Sequence, residues 1–186
     1  MTENTSQSTK SSTEPQTKPA EQLLFFGIDQ SFTSTGLCII DQMGNLIYHG
    51  TIHTDPKEDG NRFIRASKIA NEIVDVIEKY KPFYISIEGL AFGARGNAAR
   101  DLAGLQFAIM STAHERVPQL AKRIEIVSPK HLKLHATGIG TASKELMCKA
   151  LPVDVKKTIA RTYPKTKGRS DVTDAYWLAR YGLRKR

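Results

Sequence analysis

Two acidic residues stand at the ends of apolar runs, where a carboxylate needs an explanation. Asp29 closes the run that begins at Leu23, and Glu88 closes a second run and is followed by Gly89. Glutamate is disfavoured in strands and is costly to bury without a partner. Each acid also has an ordinary explanation, because an Asp after a strand is often a turn former and a Glu can lie at an exposed strand end.

A second acidic pair, Asp171 and Asp174, is spaced three residues apart near the C-terminal end of the sequence. Ser170 is a candidate N-cap, so we expect both acids in the first turn of a final helix. Helix residues three apart share a face, with about 5–6 Å between their β-carbons. The helix dipole alone also favours Asp in a first turn, so the spacing fits a metal site or a plain helix start.

Together the four acids predict a site for divalent metal. Hard cations such as Mg²⁺ take oxygen ligands, and two ions about 3.5–4 Å apart can clamp the attacking and leaving oxygens of a displacement at phosphorus. Such a site needs carboxylates from separate elements. We therefore expect Asp29, Glu88, Asp171 and Asp174 to bind two Mg²⁺ ions, for which Mn²⁺ can substitute, and to serve phosphodiester hydrolysis.

The hydrophobic pattern predicts the elements that must position these acids. Strands are expected at Leu23–Asp29, Thr35–Ile40, Leu46–His53, Phe83–Glu88 and Arg123–Val127. Helices are expected at Asn61–Tyr80, Asn97–His114, Pro129–Leu134, Ser143–Leu151, Val153–Thr162 and Ser170–Leu183. Short turns join the first three strands into an antiparallel meander, and later strands alternate with helices. This order predicts an α/β fold with a mixed five-stranded sheet flanked by helices.

Positive charge is concentrated at the C-terminal end. The chain of 186 residues carries a net charge of +8, and the segment 156–186 holds ten Lys and Arg against only two acids, Asp171 and Asp174. Such an excess indicates an anionic partner, of which nucleic acid is the commonest. A basic protein that merely resists aggregation is the alternative. Two acids inside a basic segment fit a metal site beside a phosphate-binding surface.

The remaining features bound the domain and its surroundings. Residues 1–21 are polar and lack a large apolar residue after Met1, so we expect a disordered tail before one domain at 22–186. Cys38 and Cys148 form neither a disulfide framework nor a zinc motif, which suits a reducing compartment. We expect no membrane-spanning segment and no signal peptide.

Four motifs in this order resemble those of RuvC-like Holliday junction resolvases. They are Gly27–Gly36 (GIDQSFTSTG), Ile85–Gly89 (ISIEG), the segment from Ser128 to Lys144 with its SPKHLK and TGIGTASK runs, and Ser170–Ala175 (SDVTDA). Each motif alone is weak, but the ordered set is specific and covers most of the predicted domain. Gln30-Ser31 departs from the family pattern, which has Pro-Gly at these positions.

The resemblance implies an RNase H-like fold and a crossover junction endodeoxyribonuclease that nicks four-way DNA in symmetric pairs. It implies that Asp29, Glu88, Asp171 and Asp174 are the metal ligands and that Lys133 and Lys144 lie near the scissile phosphate. It also implies a cytoplasmic protein of a bacterium or phage and a homodimer. In the family the helix that corresponds to the predicted Asn97–His114 helix contributes to the dimer, and here it carries small residues, Ala98, Ala99, Ala103, Gly104 and Ala108. Packing on the sheet is the alternative use of these residues.

We expect DNA contacts from one aromatic and eight basic residues. They are Phe92, Arg95, Arg100, Lys130, Lys133, Lys144, Lys165, Lys167 and Arg169. The family carries an aromatic wedge after the second acid, but Phe92 lies one position later than the family pattern places it, so a core contact is an equal alternative.

Two other functions stay open on the sequence alone. One is an RNase H-like nuclease that acts on RNA–DNA hybrids or flaps, and the other is a junction-binding protein without catalysis. An ATP-binding domain of the actin-like superfamily would need two lobes, for which the chain is too short.

Overall fold

A mixed five-stranded sheet lies at the centre of the fold. In the computed structural model, which describes residues 22–91, 93 and 95–186 apart from the side chain of Lys167, the strands are arranged in the order β3-β2-β1-β4-β5. They are β1 Leu24–Asp29, β2 Ser34–Asp41, β3 Leu46–His53, β4 Tyr84–Glu88 and β5 Ile124–Val127. The helices are α1 Arg62–Tyr80, α2 Asn97–Arg116, α3 Pro118–Ala121, α4 Pro129–Thr137, α5 Lys144–Lys149, α6 Val153–Thr162 and α7 Thr166–Gly182, and a 3₁₀ turn, Leu183–Lys185, follows.

The strand pairing confirms the predicted mixture of directions. β1 pairs antiparallel with β2, and β2 pairs antiparallel with β3. β1 pairs parallel with β4, and β4 pairs parallel with β5. The parallel pairs require crossovers, which α1 supplies between β3 and β4, and which α2 and α3 supply between β4 and β5. The short helix α3 is an element that the sequence pattern did not reveal.

Helices cover both faces of the sheet, and strand alternation divides the core between them. Phe26 and Ile28 of β1 point to the face covered by α1 and α2, where Ile69, Ile73, Leu105 and Ile109 complete a buried cluster. Phe25 points to the opposite face, where a second cluster includes Val172, Tyr176 and Leu178 of α7. Gly27 and Asp29 share the parity of Phe25, so the first predicted acid lies on the α7 side.

The final helix begins earlier than predicted. It starts at Thr166 with Lys165 as its N-cap, so the expected N-cap at Ser170 and the expected first-turn position of Asp171 and Asp174 are wrong. The helix extends because Lys165 to Arg169 carry no breaker strong enough to delay it, and Gly168 is tolerated in its first turn. Asp171 lies in the second turn and Asp174 in the third, where the unpaired amide groups of a helix start no longer account for them.

Two glycines allow α7 to lie directly on the sheet. A β-carbon at Gly27 would overlap the backbone carbonyl of Ala175, and one at Gly36 would overlap the carbonyl of Asp171. Any larger residue would push the helix away from β1 and β2. This close approach brings the acids of α7 to the level of the strand ends.

Some predictions fall outside the described residues. The expected disorder of residues 1–21 and the position of Phe92 are among them. None of the described helices has the length and apolar character that a membrane span requires.

Candidate active site

Asp29 and Glu88 end two neighbouring parallel strands on the same face of the sheet. The β1–β4 register pairs Ile28 with Ile87, so the next residue of each strand is an acid. Both acids follow the parity of Phe25 and Ser86 and face α7. The carboxyl ends of adjacent parallel strands thus bring together two acids that lie 59 residues apart in the sequence.

Asp171 and Asp174 approach the same strand ends from α7. Both are largely buried, with 8% and 7% of their surfaces exposed. Asp174 interacts electrostatically with Asp29 and Glu88, and Asp171 interacts with Asp174. All four predicted acids therefore lie in one region, delivered by β1, β4 and α7.

Burial and the neighbouring carboxylates disfavour the ionisation of Asp29 and Asp174. Burial, the nearby Glu88 carboxylate, with which Asp29 is close enough to share a hydrogen bond, and Asp174 raise the pKa of Asp29 well above its ordinary value. Burial raises the pKa of Asp174 to about 6, with a further contribution from Glu88. Crowded acids with raised pKa values are typical of functional sites, because a bound cation is what relieves their repulsion.

Lys144, at the start of α5, forms an ion pair with one of these acids. Its Nζ lies 3.4 Å from Oδ2 of Asp174. Burial opposes its charge, but Asp174, Asp29 and Asp171 outweigh that effect and raise the pKa of Lys144. Lys133 is half-buried on α4. Among the described residues, Lys144 and not Lys133 makes the ion pair with the acids.

Two serine hydroxyl groups hold Asp171. Ser34 Oγ donates to Oδ2 of Asp171 at 2.5 Å, and Ser170 Oγ lies 3.2 Å from Oδ1. Ser34 is a site residue that the motifs missed. It shares the face of Gly36 and Cys38 on β2, and this strand parity is the sequence signal that could have pointed to it. The hydroxyl groups fix the Asp171 carboxylate and supply donors to both of its oxygens.

The donor set fits a hard divalent cation. Four carboxylates offer only oxygen ligands, and burial and neighbouring acids raise the pKa values of Asp29 and Asp174. With the side chains oriented as they are in the described part of the chain, however, no three His, Cys, Asp or Glu residues are close enough together to hold an ion. Asp171 is turned to the serines and Asp174 to Lys144, so binding would require these two side chains to adjust.

The buried side chain of Arg65 stabilises the segment between β1 and β2 through hydrogen bonds, a role that the sequence did not predict. Arg65 of α1 is 5% exposed and donates from Nη2 to the carbonyl of Phe32 at 2.6 Å. Its Nε donates to Oγ1 of Thr54 at 2.9 Å, and Thr54 also donates to the Phe32 carbonyl. A buried Arg is an unusual member of a helix core face, and nothing in its spacing distinguished it from an exposed one.

The other predicted DNA contacts lie on different parts of the surface. Arg95, Lys130 and Lys165 are exposed. Arg100 lines a groove between α1 and α2. Arg169 donates from Nε to the carbonyl of Tyr163 and from Nη2 to that of Pro164, so part of its guanidinium already holds the turn before α7. The side chain of Lys167 is outside the described residues.

A mixed sheet of this strand order, with acids at the ends of β1 and β4 and on the closing helix, defines an RNase H-like nuclease fold. The model of the family described as crossover junction endodeoxyribonuclease RuvC matches residues 25–175. The chain therefore belongs to the RuvC family of endonucleases. Nucleases of this family depend on divalent metal.

Individual relatives agree with this membership. The chain is 31% identical over 160 residues to the crossover junction endodeoxyribonuclease RuvC of Cytophaga hutchinsonii, a match that covers 84% of this chain and 74% of the relative. It is 28% identical over 127 residues to that of Pseudothermotoga lettingae, covering 66% and 74%.

Solved structures share the fold. Thermus thermophilus RuvC superposes with a TM-score of 0.62 at 20% identity, over 84% of this chain and 91% of the other. The yeast mitochondrial Holliday junction resolvase superposes with a TM-score of 0.57 at 17% identity, over 86% and 77%. At these identities, the likeness concerns the fold.

Proposed function

We propose that this endonuclease resolves four-way DNA junctions by a pair of symmetric nicks, in a domain that spans residues 22–186. The observation that carries the proposal is the convergence of Asp29, Glu88 and Asp174 from three elements beside Lys144, in a chain of the RuvC family. A structure of Thermus thermophilus RuvC in complex with a Holliday junction substrate is similar to this chain in fold. Branched DNA is accordingly the substrate that we assign.

Asp29, Glu88, Asp171 and Asp174 would hold two Mg²⁺ ions, for which Mn²⁺ can substitute. When bound, the metal supplies an activated water and stabilises charge on the leaving 3′ oxygen. Two features of the chain support this assignment. Burial and neighbouring acids raise the pKa values of Asp29 and Asp174, and Asp29 interacts electrostatically with both Glu88 and Asp174.

Lys144 and Lys133 are assigned to the reacting phosphate. Lys144 already balances part of the acidic charge through Asp174, and a phosphate at the site would compete for its ammonium group. Its location at the start of α5 next to the acids suits stabilisation of a transition state whose negative charge increases. Lys133 on α4 would contact the same strand of DNA from further away.

The basic surface would bind the phosphates that flank the cut. Arg95, Arg100, Lys130 and Lys165 are exposed and free of burial that would prevent contact with DNA. The assignments of Phe92, Lys167 and Arg169 rest on the sequence. Because each neutralised phosphate releases counterions, binding should weaken steeply with salt, with a slope of about −0.9 per contact in a log–log plot for duplex arms.

We also propose a homodimer through α2, because two symmetric nicks call for two active sites. Leu105, Ile109 and Ala113 are the α2 residues buried in the protein, whereas Ala98, Ala103 and Gly104 are exposed. Two large aromatic side chains beside them are also exposed to solvent, Phe63 of α1 at 86% and Phe107 of α2 at 75%.

These aromatic residues line a groove of about 640 Å³ between α1 and α2. A second copy of the chain would cover this apolar surface, which is unusual for a monomer in water. Since junction processing takes place in the bacterial cytoplasm, we assign the enzyme to that compartment.

The test is cleavage of a synthetic four-way junction with Mg²⁺, beside linear duplex and RNA–DNA hybrid controls of matched length. Paired symmetric nicks in the junction alone are expected. Asp29→Asn should abolish cleavage and leave junction binding within about twofold of wild type, because the substitution removes charge and keeps shape. Cleavage of the hybrid alone would move the substrate to RNA–DNA, and tight junction binding without cleavage would indicate a non-catalytic protein.

A further inference from the structure

A buried glutamine side chain connects the two acidic strands to helix α2. Gln30 directly follows Asp29 and is 4% exposed. Its Nε2 donates to the backbone carbonyl of Glu88 at 2.8 Å and to Oε1 of Gln106 on α2 at 3.1 Å. The Glu88 carbonyl can only accept, so the amide orientation follows from the contacts themselves.

The contact to Glu88 continues the β1–β4 ladder beyond its last backbone pair. The parallel register ends where Ile28 pairs with Ile87. On the other side, Glu88 is paired with Val127 of β5, and Gly89 N donates to the Val127 carbonyl. The Gln30 amide therefore holds the β1 side of Glu88 where backbone pairing has stopped.

The same amide leaves one of its own atoms unsatisfied. Among the described residues, Oε1 of Gln30 is buried and has no hydrogen-bond partner. A buried acceptor without a donor destabilises the folded state and offsets part of what the two donated hydrogen bonds contribute to folding. The departure from the family's Pro-Gly at this position also means that the contact depends on the glutamine of this chain.

We infer that Gln30 and Gln106 are positioning residues that fix Glu88 against Asp29 and connect the active site to α2. The inference rests on the proposed metal-dependent nuclease function. Gln30 acts through the backbone of Glu88, and Gln106 acts by holding the Gln30 amide. Gln106 precedes Phe107, which lines the groove between α1 and α2. We therefore expect a displacement of α2 at this groove to reach Glu88 through the hydrogen bonds of Gln30.

The test compares Gln30→Leu, Gln106→Leu and the double variant with wild type. For each protein, kcat and KM on a four-way junction are measured, with the Mg²⁺ concentration for half-maximal activity and the melting temperature with and without Mg²⁺. We expect kcat of Gln30→Leu and of Gln106→Leu to fall about tenfold relative to wild type, which corresponds to a rise of about 1.4 kcal/mol in the activation free energy. KM for the junction should stay within twofold, and the Mg²⁺ requirement should rise.

Two further outcomes separate positioning from a general structural role. The metal-free melting temperature of Gln30→Leu should change by less than about 4 °C, and the double variant should lose no more activity than Gln30→Leu alone, because the two residues act in series. Gln106→Glu keeps an acceptor for the Gln30 amide and should keep kcat within about threefold. Glu115→Gln, at an exposed position of α2 outside the groove, is the matched control and should keep wild-type kcat and Mg²⁺ dependence.

Wild-type kcat and Mg²⁺ dependence in Gln30→Leu and Gln106→Leu would overturn the inference. So would a loss of activity that only follows a loss of folded protein. If Gln30→Leu does not fold, Gln106→Leu carries the test, because Gln106 is only half-buried. If wild type itself does not cleave junctions, the proposed function fails, and the stabilisation of each variant by Mg²⁺ still tests the positioning of the acids.

Discussion

Asp174→Asn should make the metal-free protein more stable at neutral pH while abolishing its activity. The pKa of Asp174 is raised from 3.8 to about 6, first by burial and then by Glu88. One pH unit of pKa difference between the folded and unfolded states corresponds to about 1.4 kcal/mol. The charged carboxylate therefore costs about 3 kcal/mol of folding stability at pH 7.5, a cost that asparagine does not carry.

The sign of the pH dependence follows from the raised pKa. Between about pH 3.8 and pH 6 the folded protein keeps the Asp174 proton, whereas the unfolded chain releases it. The free energy of unfolding therefore falls as the pH rises through this range, and the loss is complete above about pH 6. At pH 5.0 the folded group is still mostly protonated. The gain from Asp174→Asn should consequently be about 1.4 kcal/mol larger at pH 7.5 than at pH 5.0.

Urea unfolding in EDTA at pH 5.0 and pH 7.5 measures this difference. Glu115→Gln, which removes an exposed acid from α2, is the matched control and should change stability equally at both values. Adding Mg²⁺ should stabilise wild type more than Asp174→Asn, because the metal binds the folded state. A variant that is less stable than wild type at pH 7.5, or equally affected at both pH values, would refute the idea that the acids carry uncompensated charge.

Three further predictions concern packing, electrostatics and assembly. Gly27→Ala should lower the free energy of unfolding by about 3 kcal/mol in a urea titration, because the new methyl group overlaps the backbone of α7. Gly140→Ala is the control and should cost far less, because its methyl group meets chiefly the flexible Lys130 side chain. Similar losses in the two variants would contradict the close approach of α7 to β1. Lys144→Gln should lower kcat by about 10- to 100-fold in the junction assay, and unchanged kcat would separate Lys144 from the reaction. Phe107→Glu should convert the proposed dimer to monomer in sedimentation experiments, since it places a charge in the apolar groove between α1 and α2; a dimer that persists would assign the interface elsewhere.

The order of elements and the identity of the acids could be predicted because local patterns determine them. Alternation marks a strand wherever one face is buried, and helical spacing marks α1, whose buried residues Ile69, Ile73 and Ile77 recur on one face. Asp29 and Glu88 were recognisable because each is a charge at the end of an apolar run. That they share one face of the sheet was decided by the parallel pairing of β1 with β4, because no local signal states which strands are neighbours.

Contacts between distant segments decided the rest. The position of Asp171 depends on Gly27 and Gly36, which allow α7 to approach the sheet, and on Ser34, which is 137 residues away in the sequence. The start of α7 at Thr166 could not be predicted from a capping preference at Ser170, because a capping contribution of about 1 kcal/mol does not stop a helix whose preceding residues hold no strong breaker.

Gln30 is another residue whose role depends on contacts between distant segments and not on a local pattern. From the sequence, Gln30 was only a departure from a Pro-Gly motif. Its role follows from the places where Glu88 and Gln106 lie, and those depend on strand pairing and helix packing. The sequence by itself determined which residues could hold a metal and which segments carry them. Only the tertiary structure decided how those residues are held, because hydrogen bonds and close packing between distant segments form only once the chain has folded.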